Sequence, residues 1–386
     1  MHTLTLTGLI NVIIKNRKIL KRRDFIKTSG MALAAAGITK HAFTMNINSK
    51  AIDDKNIIGH GNYKYRVNKE WGNLDPAKAP VLNCHEMVLD SSGRLIMITD
   101  EIKNNIIIYD KSGKLLETWG TWFPGGHGLT LSKEGEEDFL FITDCGYFLG
   151  KDGKTHSQAG RVVKMTIDGR LVFNIGHPST IGVYKPEDPF RPTEVAVAPN
   201  GDFYVADGYG MDYILHYNAK GAFIRKFGGK DNKNEEENLV NAHGVAFDSR
   251  DPDDPKLICT SRTENCFKFF AMDGKYIKTI ELPGLYVCRP VVDDNNIYAG
   301  VCWSKTREDN KGWVKDTGFV TILENDKVVS NPGGTEPIYE NGKVQQMYQD
   351  SRIFNHGHDV CVDEDKNLYI CQWNACKTYP VKLERI

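Results

Sequence analysis

Three histidines stand in closely similar surroundings: Gly126-His127-Gly128-Leu129, Ala242-His243-Gly244-Val245 and Gly357-His358-Asp359-Val360. Each follows a small residue and opens a short apolar run. A neutral imidazole is a good ligand for a divalent ion. Three that converge, with a fourth position left open for water or substrate, are what a catalytic metal site needs. Zinc suits such a nitrogen set best, and other divalent metals are compatible with it. His85, in Cys84-His85-Glu86-Met87-Val88, opens a fourth run of the same kind. Its chemistry stays open between a fourth ligand, an acid/base group and a polar rim residue. The histidines lie far apart in the chain, so the fold has to bring separate strand starts to one axis.

The repeats supply such a fold. In residues 193–228, Thr193-Glu194-Val195-Ala196-Val197 alternates, Asn200-Gly201 turns, and Phe203-Tyr204-Val205-Ala206-Asp207 runs back. A third run covers 213–217, Lys220-Gly221 turns again, and a fourth run ends at Gly228. Four short alternating strands with glycine turns make one propeller blade. The plan recurs over 85–120 with Ser92-Gly93 and Ser112-Gly113, over 127–176 with Asp168-Gly169, and over 243–282 with Asp273-Gly274. A degenerate copy covers 289 to about 334, and 358–386 supplies three strands. Residues 63–71 provide the missing strand, so that the N-terminal strand joins the last blade and closes the ring without exposed edges. The expectation is an all-β, six-bladed β-propeller, with blades starting at His85, His127, Thr193, His243, Arg289 and His358.

In that frame the first strand of each blade lines the channel. His127, His243 and His358 belong to blades two, four and six, related by an approximate three-fold axis. The second strand returns to the same rim, which places Asp100, Tyr147, Tyr209, Arg262, Trp303 and Trp373 around the histidines. Arg289 takes the inner position of blade five. Two guanidinium groups beside a cation call for an anion between them, and a substrate carboxylate would supply it. The long insertions at 146–160, 177–191 and 304–355 are where binding on a rigid scaffold usually sits.

Composition narrows the function classes. Lys plus Arg number 49 against 50 Asp plus Glu, a formal net charge of −1, which argues against a nucleic-acid binder or a membrane-surface protein. Near the N-terminus, Lys21-Arg22-Arg23-Asp24-Phe25-Ile26-Lys27 precedes an alanine-rich apolar run from Gly30 to Ile38. That pattern is a twin-arginine export signal, assigned to residues 1–48, with the propeller following over 49–386 and a periplasmic destination. Stable membrane insertion is not expected, because the apolar run is too short for a mature span. A monomer is expected. The nine cysteines would then meet an oxidising compartment, where an odd number leaves at least one free. Cys259 with Cys266, or Cys371 with Cys376, could close a small loop.

The repeat, with its Val-Ala-Asp strand ends and glycine turns, resembles the NHL (TolB-like) propellers. Within them it is most similar to the lyase domain of the peptidylglycine α-amidating enzyme. The similarity runs from blade two to the end and is best from Arg191-Pro192-Thr193 through Asp207-Gly208-Tyr209. It implies zinc on His127, His243 and His358, a catalytic role for Tyr209 and Arg262, and a structural calcium ion near Asp359. The family's substrate-binding arginine on the first blade has no counterpart, since Asp100-Glu101 stand there, and Gly210 replaces a cysteine beside the tyrosine. A similar architecture occurs in exported propellers of marine Bacteroidetes that process algal polysaccharides, including an ulvan-oligosaccharide dehydratase.

These readings combine into an expected carbon–oxygen lyase, a hydro-lyase acting on the terminal uronic acid of an anionic oligosaccharide. The metal and Arg262 or Arg289 would hold the carboxylate, Tyr209 or His85 would take the C5 proton, and Tyr147 and Trp373 would line the substrate site. The alternatives are cleavage of a peptidyl α-hydroxyglycine and a non-catalytic binding platform.

Overall fold

The computed structural model of the chain describes residues 56–120, 122–150, 152–308, 312 and 314–386. The export segment assigned to residues 1–48 lies outside them. The described residues form six antiparallel sheets around one axis, with two small hairpins inserted. Blade one is Cys84–Leu89, Leu95–Thr99, Ile106–Tyr109 and Leu115–Trp119. Blade two is Gly126–Glu134, Glu137–Asp144, Arg161–Thr166 and Leu171–Ile175. Blade three is Glu194–Val197, Phe203–Ala206, Tyr213–Tyr217 and Phe223–Gly228. Blade four is Val245–Asp248, Lys256–Ser261, Cys266–Ala271 and Tyr276–Glu281. Blade five is Leu285–Asp293, Asn296–Ser304, Phe319–Glu324 and Lys327–Ser330.

Blade six closes the ring as expected. Gly357–Val362, Leu368–Gln372 and Val381–Arg385 pair in order, and Tyr63–Asn68 adds to Val381–Arg385 with Tyr65 opposite Arg385. The strand ends at Asn68, short of Trp71, whose ring turns into the core against Tyr109 and Tyr369. A fifth strand, Ile57–His60, extends the sheet outward. Inner strands of consecutive blades neighbour one another all the way round.

The sequence pattern follows from this packing. A middle strand is covered by a neighbouring blade on each face, so it reads as a continuous apolar run: Leu95–Thr99 and Ile106–Tyr109 are buried throughout. The outer strand Leu115–Trp119 is mostly exposed and carries polar residues. The turns repeat one device. Asp90 accepts the N–H groups of Ser92 and Arg94, with Gly93 at φ 81° between them. Asp110 does the same for Ser112 and Lys114, and Asn218 for Lys220 and Ala222.

Near the axis the strands crowd. A Cβ on Gly128 would stand 2.5 Å from the Thr193 carbonyl oxygen, and one on Gly244 would stand 2.6 Å from the Arg289 Cα. The glycine after His127 and after His243 is therefore a condition of strand approach. No helix among the described residues is long and apolar enough to cross a membrane. All nine cysteines are free, so neither small-loop disulfide forms. Cys259 faces Lys268 across its strand pair, while Cys266 faces Ser261.

Candidate metal centre

His127, His243 and His358 meet on the axis, each at most 2 % exposed. Their ring centroids form a nearly equilateral triangle with sides of 4.8, 4.8 and 5.1 Å. Neighbouring inner strands orient two of the rings. His127 Nδ1–H donates to Thr193 O at 2.9 Å and His358 Nδ1–H to His85 O at 3.0 Å, which leaves each Nε2 with a free lone pair. A backbone carbonyl on the far ring nitrogen is the usual way a ligating histidine is oriented. His358 Nε2, His243 Nδ1 and His85 Nδ1 are buried without a hydrogen-bond partner. Such orphaned atoms are costly unless something else satisfies them. Burial lowers all three axial histidines well below the ordinary imidazole range, so they are neutral near pH 7. Neutral, converging rings of which two carry an orphaned nitrogen fit a divalent ion.

Each edge of the triangle is capped from an odd-numbered blade. Tyr209 from blade three places its hydroxyl 3.2 Å from His127 Nε2 and 3.0 Å from His243 Nε2. His85 from blade one lies 4.9 Å from both the His127 and His358 rings, and its Nε2 approaches Asp100 Oδ2 at 3.4 Å. Cys288 from blade five groups with His243 and His358, as His85 does with His127 and His358. Arg262 stands beside Tyr209 and Cys288, donating from Nη2 to Cys288 Sγ at 2.9 Å and stacking over Trp303 at 5.4 Å. Burial pushes the Tyr209 phenol up while Arg262 pulls it down, and burial wins. For Cys288 burial also pushes up, but Cys302 and Arg262 together bring the thiol below its ordinary value.

Arg289 is not on this rim. Its guanidinium lies one layer beneath, where Nε and Nη2 donate to Asp359 at 3.0 and 2.8 Å. Nη1 donates to Leu129 O at 2.8 Å and Nη2 to Met87 O at 3.3 Å, with Glu86 and Glu194 oxygens at 3.4 and 3.6 Å. The anion beside Arg289 is thus the protein's own, which corrects its assignment to substrate binding. The same geometry corrects the calcium expected near Asp359. Both oxygens of that carboxylate and two backbone carbonyls already face a guanidinium. Burial raises the Glu86 carboxyl well above its ordinary value and Glu194 and Asp359 add to this, against Arg289.

The register explains the misplacement. The axis position of blade five is Cys288, followed by Arg289, in line with His85-Glu86, Thr193-Glu194 and His358-Asp359. Cys288 was therefore missed. Aligning Cys288-Arg289-Pro290-Val291 on the other five strand starts is the signal that could have found it.

The triangle opens into a cavity of about 580 Å³, bounded by His85, His127 and Tyr209 at its floor. Its walls are Asn83, Asp100, Trp373 and Asn374 on one side and the inserted hairpin, Tyr147–Leu149 with Thr155, on the other. Tyr147 and Trp373 thus stand where the sequence reading put them, with Arg191 4.0 Å over the Tyr147 ring. Asn83 ties up Asp100 through its backbone N–H at 2.9 Å and its side-chain amide at 2.7 Å. Arg262 and Trp303 do not line this cavity.

No family model matches the chain. It is 27 % identical over 177 residues to a probable peptidyl-α-hydroxyglycine α-amidating lyase of Caenorhabditis elegans, covering 44 % of each protein. It is 34 % identical over 118 residues to peptidyl-α-hydroxyglycine α-amidating lyase 1 of Drosophila melanogaster, covering 30 % of this chain and 19 % of that one. The matched region spans less than half the length of these curated relatives. Among solved structures, an inactive virginiamycin B lyase from Staphylococcus aureus with quinupristin superposes with a TM-score of 0.49 at 11 % identity, over 83 % of this chain and 100 % of that one. The chain is a six-bladed propeller that resembles the amidating-lyase domain.

Proposed function

We propose that this chain is an exported, metal-dependent lyase that cleaves an N-acylated α-hydroxyglycine into a primary amide and glyoxylate. The observation that carries the reading is the Tyr209 hydroxyl seated between two of three buried, converging histidines. Residues around that geometry, 193–209 and the histidine-centred runs, are also those on which the resemblance to amidating lyases rests.

His127, His243 and His358 would hold the ion, which when bound acts as a Lewis acid toward a substrate oxygen. The chain's own groups do the rest. Tyr209 would take the proton of the substrate's hydroxyl group as its phenolate, the form that Arg262 favours against burial. The carbon–nitrogen bond breaks as the carbonyl of glyoxylate forms, and the departing amide nitrogen receives a proton, so atoms and charge balance. Arg262 stabilises negative charge that develops near Tyr209. His85, held toward Asp100 on the cavity side, is the second group able to carry a proton there. General acid–base help of this kind contributes about 10²–10⁴-fold.

Elimination of water from a uronate needs a firmer clamp on its carboxylate. Arg289 is withdrawn beneath the histidines and Arg262 is engaged with Cys288, so the α-hydroxyglycine reading is favoured over the oligosaccharide one. The test is glyoxylate release from N-benzoyl-α-hydroxyglycine by zinc-loaded protein, run beside a uronate-oligosaccharide panel monitored for the absorbance of an unsaturated uronate. Absorbance without glyoxylate would replace this reading with the dehydratase. Neither signal from metal-loaded protein would leave only a binding platform.

A further inference from the structure

We propose that Cys288 is a fourth protein ligand to the ion held by His127, His243 and His358, closing the face of the centre turned away from the substrate cavity. The proposal rests on the metal reading given above and adds a sulfur atom to it.

Three observations carry it. The first is position: Cys288 occupies on blade five the axis place that His85, His127, His243 and His358 occupy on theirs, and its sulfur, with nitrogens of His243 and His358, forms a set whose members all lie within 4.8 Å of one another. The second is the surroundings of the sulfur. Arg262 Nη2 donates to it at 2.9 Å, so a cationic donor points at Sγ in a fully buried site. Donors aimed at a sulfur stabilise a thiolate, which is the form that ligates. The thiol also approaches Gly357 O, at the long distance of 3.7 Å. The third is the side on which it stands. The cavity is lined by His85, His127 and Tyr209, and neither Cys288 nor Arg262 lines it. A ligand there leaves the cavity face of the ion free for substrate. On binding, the thiol proton is released and a metal–sulfur bond forms, with no change of oxidation state.

The experiment is X-ray absorption on the full mature protein loaded with one equivalent of zinc, with the optical spectrum of cobalt(II)-loaded protein as a second readout. The expected result is one sulfur scatterer at about 2.3 Å besides nitrogens at about 2.0–2.1 Å, and a thiolate-to-cobalt charge-transfer band. In Cys288→Ser the sulfur shell and the band disappear while the histidines still take up the ion, with lowered affinity. In Cys302→Ser, which keeps Cys288, both signals remain. A nitrogen-and-oxygen shell alone in metal-loaded wild type overturns the proposal and leaves the three-histidine reading standing. A Cys288–Cys302 disulfide found by non-reducing mass mapping of the loaded protein overturns it as well. Protein that takes up no metal overturns the histidine reading, and this proposal with it.

Discussion

Replacing Arg289 by alanine removes the single cation from a layer of three buried carboxylates. Asp359 loses both of its guanidinium bonds, and the Leu129 and Met87 carbonyls lose theirs. Breaking a buried pair from one side costs about 3–5 kcal/mol, because the remaining charge has no partner. Glu86 moderates the loss, since burial already favours its protonated form. We therefore expect destabilisation of about 3 kcal/mol at pH 7. The vacated place is ringed by carboxylate and carbonyl oxygens, the ligand type that calcium takes. Calcium at 100 times its dissociation constant should restore about 2.7 kcal/mol to the variant. Wild type should show no such gain, because the guanidinium fills the place. The assay is urea unfolding of wild type and Arg289→Ala with calcium, with magnesium and with chelator. A variant within about 1 kcal/mol of wild type, outside the range for breaking a buried pair, would refute the argument that Arg289 replaces a structural cation. So would equal calcium stabilisation of both proteins.

Tyr209→Phe should retain one equivalent of metal but lose turnover by about 10²–10⁴-fold; loss of metal together with activity would mean that the hydroxyl only supports the histidines. His243→Ala should lower bound metal well below one equivalent after dialysis, read by elemental analysis, with the β-sheet circular dichroism unchanged. Metal-free protein should lose stability as pH falls below 6.5. The three buried histidines reject protons that the unfolded chain accepts, each adding a slope of about 1.4 kcal/mol per pH unit. A flat urea midpoint between pH 6.5 and 5 would contradict that. Tyr147→Ala, on the cavity wall, should raise KM with a smaller effect on kcat, and a pure kcat loss would remove the hairpin from substrate binding.

The ring was legible because its constraints are local. Blade turns recur as Asp or Asn followed three residues later by glycine, and middle strands read as apolar runs because both faces are covered. The histidine columns were legible for a related reason. Gly128 and Gly244 follow their histidines because inner strands approach too closely there for a side chain, while Glu86 and Asp359 follow the histidines of blades one and six. Blade five resisted the same reading. Cys288-Arg289-Pro290-Val291 and Arg289-Pro290-Val291-Val292 fit the template equally well, each a polar or small residue before an apolar run. What selects the first is a match made across the ring: Glu86, Glu194 and Asp359 stand one step below the histidines, and only a cation in the same layer neutralises them. That is a relation between four blades, invisible along any one of them.

Fixing blade five by that charge balance also settles how the centre is divided. Even blades supply the triangle and odd blades supply its edges: His85, Tyr209 and Cys288. Two of those edges face the cavity and one does not. A proton carrier is useful only where substrate can reach it, which Tyr209 and His85 satisfy and Cys288 does not. A permanent ligand is tolerable only where it does not block substrate, which Cys288 satisfies. On the proposed readings, His85 and Cys288, which hold the same place on blades one and five, would take opposite tasks according to which side of the axis is open. That side is set by the hairpin inserted in blade two and by the turn carrying Trp373, outside the repeat altogether. On the proposed function, substrate choice on this scaffold should therefore follow the insertions, while the residues that would hold the ion belong to the ring.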